Sequence, residues 1–290
     1  MAEITAALVK ELRDKTNAAM MQCKKALTET GGDIEAAADY LRKKGIADSD
    51  KKASRDAKEG IIAAHVSDDG QLGALVEVNC ETDFVAKNEN FQSFVAEVNS
   101  AVANSDAADV EGVLATTHGD ATVETYVKGK ITELGENLVL RRFDRFATQG
   151  TGTVASYIHL AGKVGVLIEV GCGSDATVGN DTFKEVVKDL TLHIAAAQPT
   201  CINRNEVDSN LVAKEREIFA EQMKDKPANV IDKIIEGKLE KFYATTCLLE
   251  QGFVKDPDQS VNDLLAAKGK ELDDTLEVRR FARFAVGEEV

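Results

Sequence analysis

The chain has 290 residues, 43% apolar and 29% charged, which is enough for two or three modest domains with their own cores and excludes a single small stapled domain. Its 35 basic against 50 acidic residues leave a formal charge of −15, which repels phosphate backbones and anionic membrane surfaces and sets nucleic acid and lipid head groups aside as partners. Five cysteines without a CxxC spacing argue against a disulfide framework or a zinc site, and no run approaches the roughly 18 apolar residues of a spanning helix, so a cytoplasmic chain with reduced thiols is expected.

Three short helices are predicted first. Ile4, Leu8 and Leu12 recur at four-residue spacing, Met20, Cys23, Ala26 and Leu27 form a second apolar stripe, and Ile34, Ala37, Ala38 and Leu41 a third. Asn17 separates the first two, Gly31 and Gly32 end the second, Asp33 is placed to cap the third, and Gly45 to close it. Such an Ala-rich bundle has a small core and an apolar face left for a partner. Of the adjacent Met20 and Met21, one is assigned to the core and the other to the surface. Residues 48–60 alternate charges without an apolar period and read as a solvated linker or as a helix anchored elsewhere.

The remainder contains an internal repeat. GALVEVNCETDFVAKN at 73–88 aligns without a gap to GVLIEVGCGSDATVGN at 165–180, an offset of 92 with seven of sixteen positions identical. LRRFDRFA at 140–147 pairs with VRRFARFA at 278–285 at an offset of 138. The offsets differ by 46, so two copies of one unit are expected, the second carrying an insertion of that length between its first helix and its last strand. Each copy reads as a hairpin, with Asp69-Gly70 and Ala161-Gly162 at the turns, then helices on one face and a closing strand. The class is α+β with antiparallel sheets. In the insertion, Val207, Leu211, Val212, Ile218, Phe219 and Met223 form one stripe and Ile231, Ile234, Ile235, Leu239 and Phe242 another, with Pro227 as breaker. A projecting antiparallel helical hairpin, at about 198–246, fits this pattern. The expected domains are 1–54, 55–148 and 149–290.

No phosphate-binding loop, dinucleotide fingerprint, zinc-protease helix, nucleophile elbow or calcium loop is present. No cofactor, metal or catalytic set is signalled. Cys80 with His65 is a conceivable nucleophile and base, but Cys80 and Cys172 hold the same place in both copies, as a small buried residue ending a strand would. The segment from Thr82 to Asn88 is more informative. Thr82 or Asp83 can cap a helix there, and Asp175 retains the acid in copy two, yet Ala176 replaces Phe84. An aromatic peculiar to one copy, on a turn, reads as an exposed anchor rather than scaffold.

The residues MAEITAALVKELRDKT and MMQCKKAL near the start, LVEVNCETDFVAKN in the first copy, SYIHLAGKVGVLIEV in the second and RRFARFAVGE near the end resemble the bacterial elongation factor Ts family. The resemblance implies a ubiquitin-associated-like N-terminal bundle, two core subdomains and a coiled-coil arm. It also implies a nucleotide exchange factor, without covalent chemistry of its own, that binds GDP-bound elongation factor Tu, disturbs its magnesium and switch region, and leaves on GTP loading. By the same resemblance Thr82, Asp83, Phe84 and Val85 press into the partner's nucleotide-binding domain, with Phe84 as wedge. Arg13, Met20 and Met21 dock on another face of that domain, and His159 lies in the stretch that reaches the partner's third domain. A homodimer or a 2:2 complex stays open.

Overall fold

The computed structural model describes residues 4–16, 18–221 and 228–289. Asn17, Met223 and Pro227, assigned above to a break, a stripe and a breaker, lie outside the described residues.

α1 (Ala6–Thr16) and α2 (Met20–Glu29) precede Gly31 and Gly32, both at positive φ as the end of a helix requires. Asp33 then caps α3 (Ile34–Lys52), its carboxylate accepting from Ala36 N at 3.0 Å. The three helices bury Val9, Leu12, Cys23, Ala26, Leu27 and Ala37. The core seats on α2 are filled by Cys23, Ala26 and Leu27, which leaves both methionines outside it: Met20 is 54% and Met21 74% exposed, so the assignment of one of them to the core is corrected.

The first copy runs β1 (Glu59–Val66), β2 (Leu72–Cys80), α4 (Asp83–Ala86), α5 (Glu89–Ala103), α6 (Val110–Ala115), a two-residue-strand hairpin β3 (Thr117–His118) and β4 (Ala121–Thr122), α7 (Val123–Leu134) and β5 (Val139–Ala147). The second runs β6 (Gly152–His159), β7 (Val164–Gly171), α8 (Asp175–Gly179), α9 (Asp181–Ala197), α10 (Ser209–Glu221), α11 (Ala228–Thr246), β8 (Gly252–Phe253), β9 (Asp256–Ser260), α12 (Val261–Glu271) and β10 (Glu277–Ala285). Their sheets are antiparallel, ordered β1-β2-β5 and β6-β7-β10. The alternation of β2 sends Ala74, Val76, Val78 and Cys80 toward α5 and α7, where Phe91, Phe94 and Val98 are fully buried. β7 does the same with Val166, Ile168 and Val170 against Phe183 and Leu190 of α9. Each such aromatic or branched side chain contributes about 2–3 kcal/mol of burial.

Gly45 does not close α3. The helix continues about two further turns because it docks on α7: a Cβ at Gly45 would crowd Thr132 Oγ1 at 2.9 Å, and that hydroxyl donates to Gly45 O at 3.1 Å. Lys52 Nζ donates to Ile131 O at 3.2 Å, and Lys128 pairs with Asp50 at 3.2 Å. The charged run after Gly45 is therefore helix anchored elsewhere as far as Lys52.

The remaining faces of the two sheets meet. Ile62, Leu75, Phe146, Val154, Leu167, Ala282 and Phe284 form this inner core, giving the order helices, sheet, sheet, helices. Gly73 and Gly165, equivalent in the repeat, let the layers approach: a Cβ at Gly73 would overlap Val154 and Leu167, and one at Gly165 would overlap Ile62 and Leu75. Each sheet also carries a buried carboxylate on this face. Glu77 accepts from Arg142 Nε at 2.7 Å, directly across the ladder, and Glu169 from Arg280 Nε at 2.7 Å. The copies then cross over. Arg142 stacks on Phe284 of copy two at 4.3 Å, and Arg280 on Phe146 of copy one at 4.4 Å. Gly287 N donates to Glu77 at 3.2 Å and Gln149 N to Glu169 at 2.6 Å. In both ladders a bulge at the preceding arginine, Arg141 or Arg279, shifts the register that sets the pair opposite one another.

Asp144 also faces this layer. Burial raises its carboxyl above the ordinary 3.8, although Arg142 and Arg280 pull it back. The folded chain thus holds that proton more tightly than the unfolded one, and stability falls as pH rises from 3.8 through the raised value. Asp144→Ala, which copies the equivalent Ala282, is expected to stabilise the protein at pH 7 by about 0.5–1 kcal/mol after allowance for partial hydration. Urea titrations at pH 4 and pH 7 measure this, and a variant weaker at pH 7 would show that the two arginines outweigh desolvation.

α10 and α11 lie together through Arg216 and Glu236 at 2.6 Å and Lys238 over the Phe219 ring at 4.9 Å, burying Ile235 and Leu239. Leu211 and Ile218, placed above in the packed stripe, are exposed, because a two-helix pair covers only one side of each helix. The base of this arm is tightly held. Arg204 binds Glu240 and Glu250 at 3.0 and 2.7 Å and stacks on Tyr243 at 4.6 Å. Buried His193 accepts from Val254 N at Nδ1, 3.1 Å, which leaves Nε2 to donate to Gln251 Oε1 at 2.9 Å. Gln251 Nε2 in turn reaches Ala197 O and Thr245 O at 3.2 and 2.7 Å.

Candidate functional site

The corner after β2 is built on a capping residue. Thr82 Oγ1 accepts from Val85 N at 3.4 Å, starting α4, so the cap is Thr82 and not Asp83. Ser174 does the same in copy two, and Asp175, the acid retained there, is the first helical residue. Each corner is also latched by a carboxylate from the far end of its own copy. Glu136 accepts from Glu81 N and Thr82 N, both at 3.0 Å, and from Thr82 Oγ1 at 2.6 Å. Asp274, its repeat equivalent, accepts from Gly173 N at 2.8 Å and from the hydroxyls of Ser174 and Thr177. Glu81 extends the first latch to Asn137 N at 2.7 Å and Arg55 at 3.3 Å.

On this fixed corner Ala86 is buried, Val85 packs against the core, and Phe84 projects with 82% of its surface exposed. The alternative in which Phe84 packs into the core is therefore rejected. Asp83 is paired with Lys87 at 2.6 Å, whose hydrogen bond holds the carboxyl below its usual range, so it is a carboxylate at neutral pH. Copy two presents only Ala176 at the equivalent exposed place.

A second apolar projection stands beside this corner. After β6 the chain turns through Leu160 and Ala161, both in the left-handed region at φ 49° and 52°, and Leu160 is 66% exposed. Non-glycine residues there carry strain that the surroundings must impose. Gly162 fits against Ile61 and Ile62 O of β1, and Lys163 Nζ binds Glu59 at 2.6 Å and Gly60 O at 3.3 Å, tying the tip to the strand that pairs with Cys80. His159 is exposed at its base, with Nδ1 2.8 Å from Tyr157 Oη. Leu160 escapes the sequence reading because a leucine next to Ala-Gly is unremarkable until its backbone is known. Arg13, Met20 and Met21 are all exposed on the bundle, Arg13 near the end of α1 and the methionines at the start of α2.

The thiols fit the structural reading. Cys80 and Cys172 are buried and donate to the carbonyls of Thr82 and Ser174 at 3.2 and 3.4 Å, and burial pushes the Cys80 thiol up to about 12. His65 pairs with Ala74 and Cys80 with Glu59, which separates the two by six ladder positions, about 20 Å, so they form no nucleophile and base. Among the described residues no cluster of three or more metal-ligating side chains occurs, and no helix is long and apolar enough to cross a membrane.

The twofold-repeated sandwich thus holds one apolar side chain, Phe84, out on a latched corner and a second, Leu160, on a neighbouring turn. A family model described as Elongation factor TS matches residues 81–288. Elongation factor Ts of Trichlorobacter lovleyi is 46% identical across 98% of this chain and 93% of its own length. That of Methylococcus capsulatus is 47% identical across 98% and 92%, and that of Clostridium perfringens 45% across 98% and 93%. The chain belongs to the elongation factor Ts family, and so to the elongation factors of protein biosynthesis.

Proposed function

We propose that the protein is a guanine nucleotide exchange factor for elongation factor Tu. It binds the GDP-bound partner, loosens the nucleotide by disturbing the magnesium and switch region, and is released when GTP is loaded. The observation that carries this reading is Phe84, an exposed aromatic on a corner whose backbone is fixed by Glu136. Thr82 and Val85 set its direction, and the ionised Asp83 beside it brings a negative charge toward the partner's metal environment. Met20, Met21 and Arg13 supply a second contact from the three-helix bundle, read as ubiquitin-associated-like. His159, with Leu160, reaches toward the partner's third domain.

No covalent chemistry is needed. An exchange factor binds the empty partner better than the nucleotide-loaded one, and the coupling is reciprocal. Each tenfold loosening of GDP requires about 1.4 kcal/mol of differential binding. The factor works in the cytoplasm, with a homodimer or a 2:2 complex open to it and with α10 and α11 as a coiled-coil arm. Stopped-flow release of a fluorescent GDP from elongation factor Tu tests the reading: the protein is expected to accelerate release. Binding without acceleration would make it an adaptor instead.

A further inference from the structure

The two ends of the arm meet at a pair of thiols. Cys201 and Cys247 form an isolated parallel bridge, flanked by Thr200 N donating to Thr246 O at 2.9 Å and Leu248 N to Cys201 O at 2.9 Å. Their sulfurs are 3.6 Å apart. Cys247 is buried and Cys201 half-buried, open to a small reagent. Set back by the two repeat offsets, 92 and 138, both positions fall on Asp109 of copy one. The thiols thus stand at one equivalent position of the repeat, on either side of the inserted arm.

We propose that Cys201 and Cys247 are a dithiol site which a low-molecular-weight disulfide such as oxidised glutathione converts into an intramolecular disulfide, stapling the arm at its base. Paired backbones lie about 4.8 Å apart, inside the Cα range that a disulfide spans, and the two sulfurs already meet at 3.6 Å, which puts closure within reach of side-chain rotation. Cys201 gives its proton to solvent and its thiolate attacks the glutathione disulfide, forming a mixed disulfide and expelling one glutathione thiolate. Cys247 then loses its proton and attacks the Cys201 sulfur, expelling the second. Two protein thiols are oxidised by two electrons, and one glutathione disulfide is reduced to two thiols. Burial and the neighbouring Cys201 push the Cys247 thiol up to about 12, which fits its place as the second sulfur to react. Cys23, Cys80 and Cys172 belong to three separate cores and have no thiol to meet.

The test treats the full-length protein with oxidised glutathione under native conditions, then counts thiols and maps peptides without reduction. Expected are a fall from five thiols to three, a mass lower by two hydrogens, and a single crosslink between the Cys201 and Cys247 peptides. Cys201→Ser, at a half-exposed position, is expected to keep all four of its thiols. A glutathione left on Cys201, a covalent dimer, five thiols unchanged, or a Cys201→Ser protein that still loses two would each overturn the proposal.

Discussion

Phe84→Ala is expected to leave the fold unchanged and to slow the factor's stimulation of GDP release by about 30-fold or more, the equivalent of ~2 kcal/mol. The two halves of that expectation rest on different observations. Phe84 keeps 82% of its surface in water in the free protein, so its removal forfeits little burial on folding, and surface changes of this kind usually stay within about 0.5 kcal/mol. The corner stays in place, because Thr82, Val85, Ala86 and the Glu136 latch are untouched. What is lost, on the proposed reading, is an aromatic that the partner must accommodate, and buried aromatics at the centre of an interface carry a large share of binding energy. Circular dichroism and the thermal midpoint report on the first half, and stopped-flow release on the second. A folded variant that stimulates exchange normally would falsify the wedge.

Arg142→Met is expected to destabilise the protein by about 3 kcal/mol, a large share of the 5–15 kcal/mol typical of a domain. It strands Glu77, whose remaining donors are the neutral Asn79 amide at 3.0 Å and Gly287 N at 3.2 Å. It also removes the stacking on Phe284 and a hydrogen bond to Ala285 O at 3.2 Å, both contacts to the other copy. Arg280→Met should cost less, because Arg279 Nη1 remains 3.3 Å from Glu169. Adding Glu77→Gln to Arg142→Met is expected to recover part of the loss by removing the buried charge. Denaturant midpoints for the four proteins decide the matter. Equal losses for the two arginine variants would mean that packing on the phenylalanines, not charge pairing, dominates.

The two sheets and their helices were legible because the repeat is a long-range signal carried in local sequence. An alignment of 73–88 with 165–180 places two hairpins at once, and the Phe84 to Ala176 difference singles out the projecting side chain. What escaped lies in contacts between segments far apart. Gly45 resembles a helix stop, and only its approach to Thr132, 87 residues on, explains why α3 passes through it. Met20 fits a stripe by spacing, yet Cys23, Ala26 and Leu27 already fill the small core. Glu77 and Glu169 offered a usable signal: a carboxylate at the same place in both apolar strands, matched by paired arginines in both closing strands. Leu160 offered none, since its exposure comes from a backbone that the contacts of Gly162 and Lys163 impose.

The glycine pair between the sheets bears on how force is handled. With no Cβ at Gly73 or Gly165, side chains of the opposite layer fill the gap, and neither sheet can slide without driving backbone into Val154 and Leu167 or into Ile62 and Leu75. Phe84 follows the first sheet, and the Leu160 turn follows the second while Gly162 and Lys163 tie it back to β1 of the first, so the separation of the two projections is held by that joint and by this tie together. The molecule is in this respect a caliper with locked jaws. On the proposed reading, a partner seated across both points would be the one to deform, since the joint between the sheets leaves little room to give.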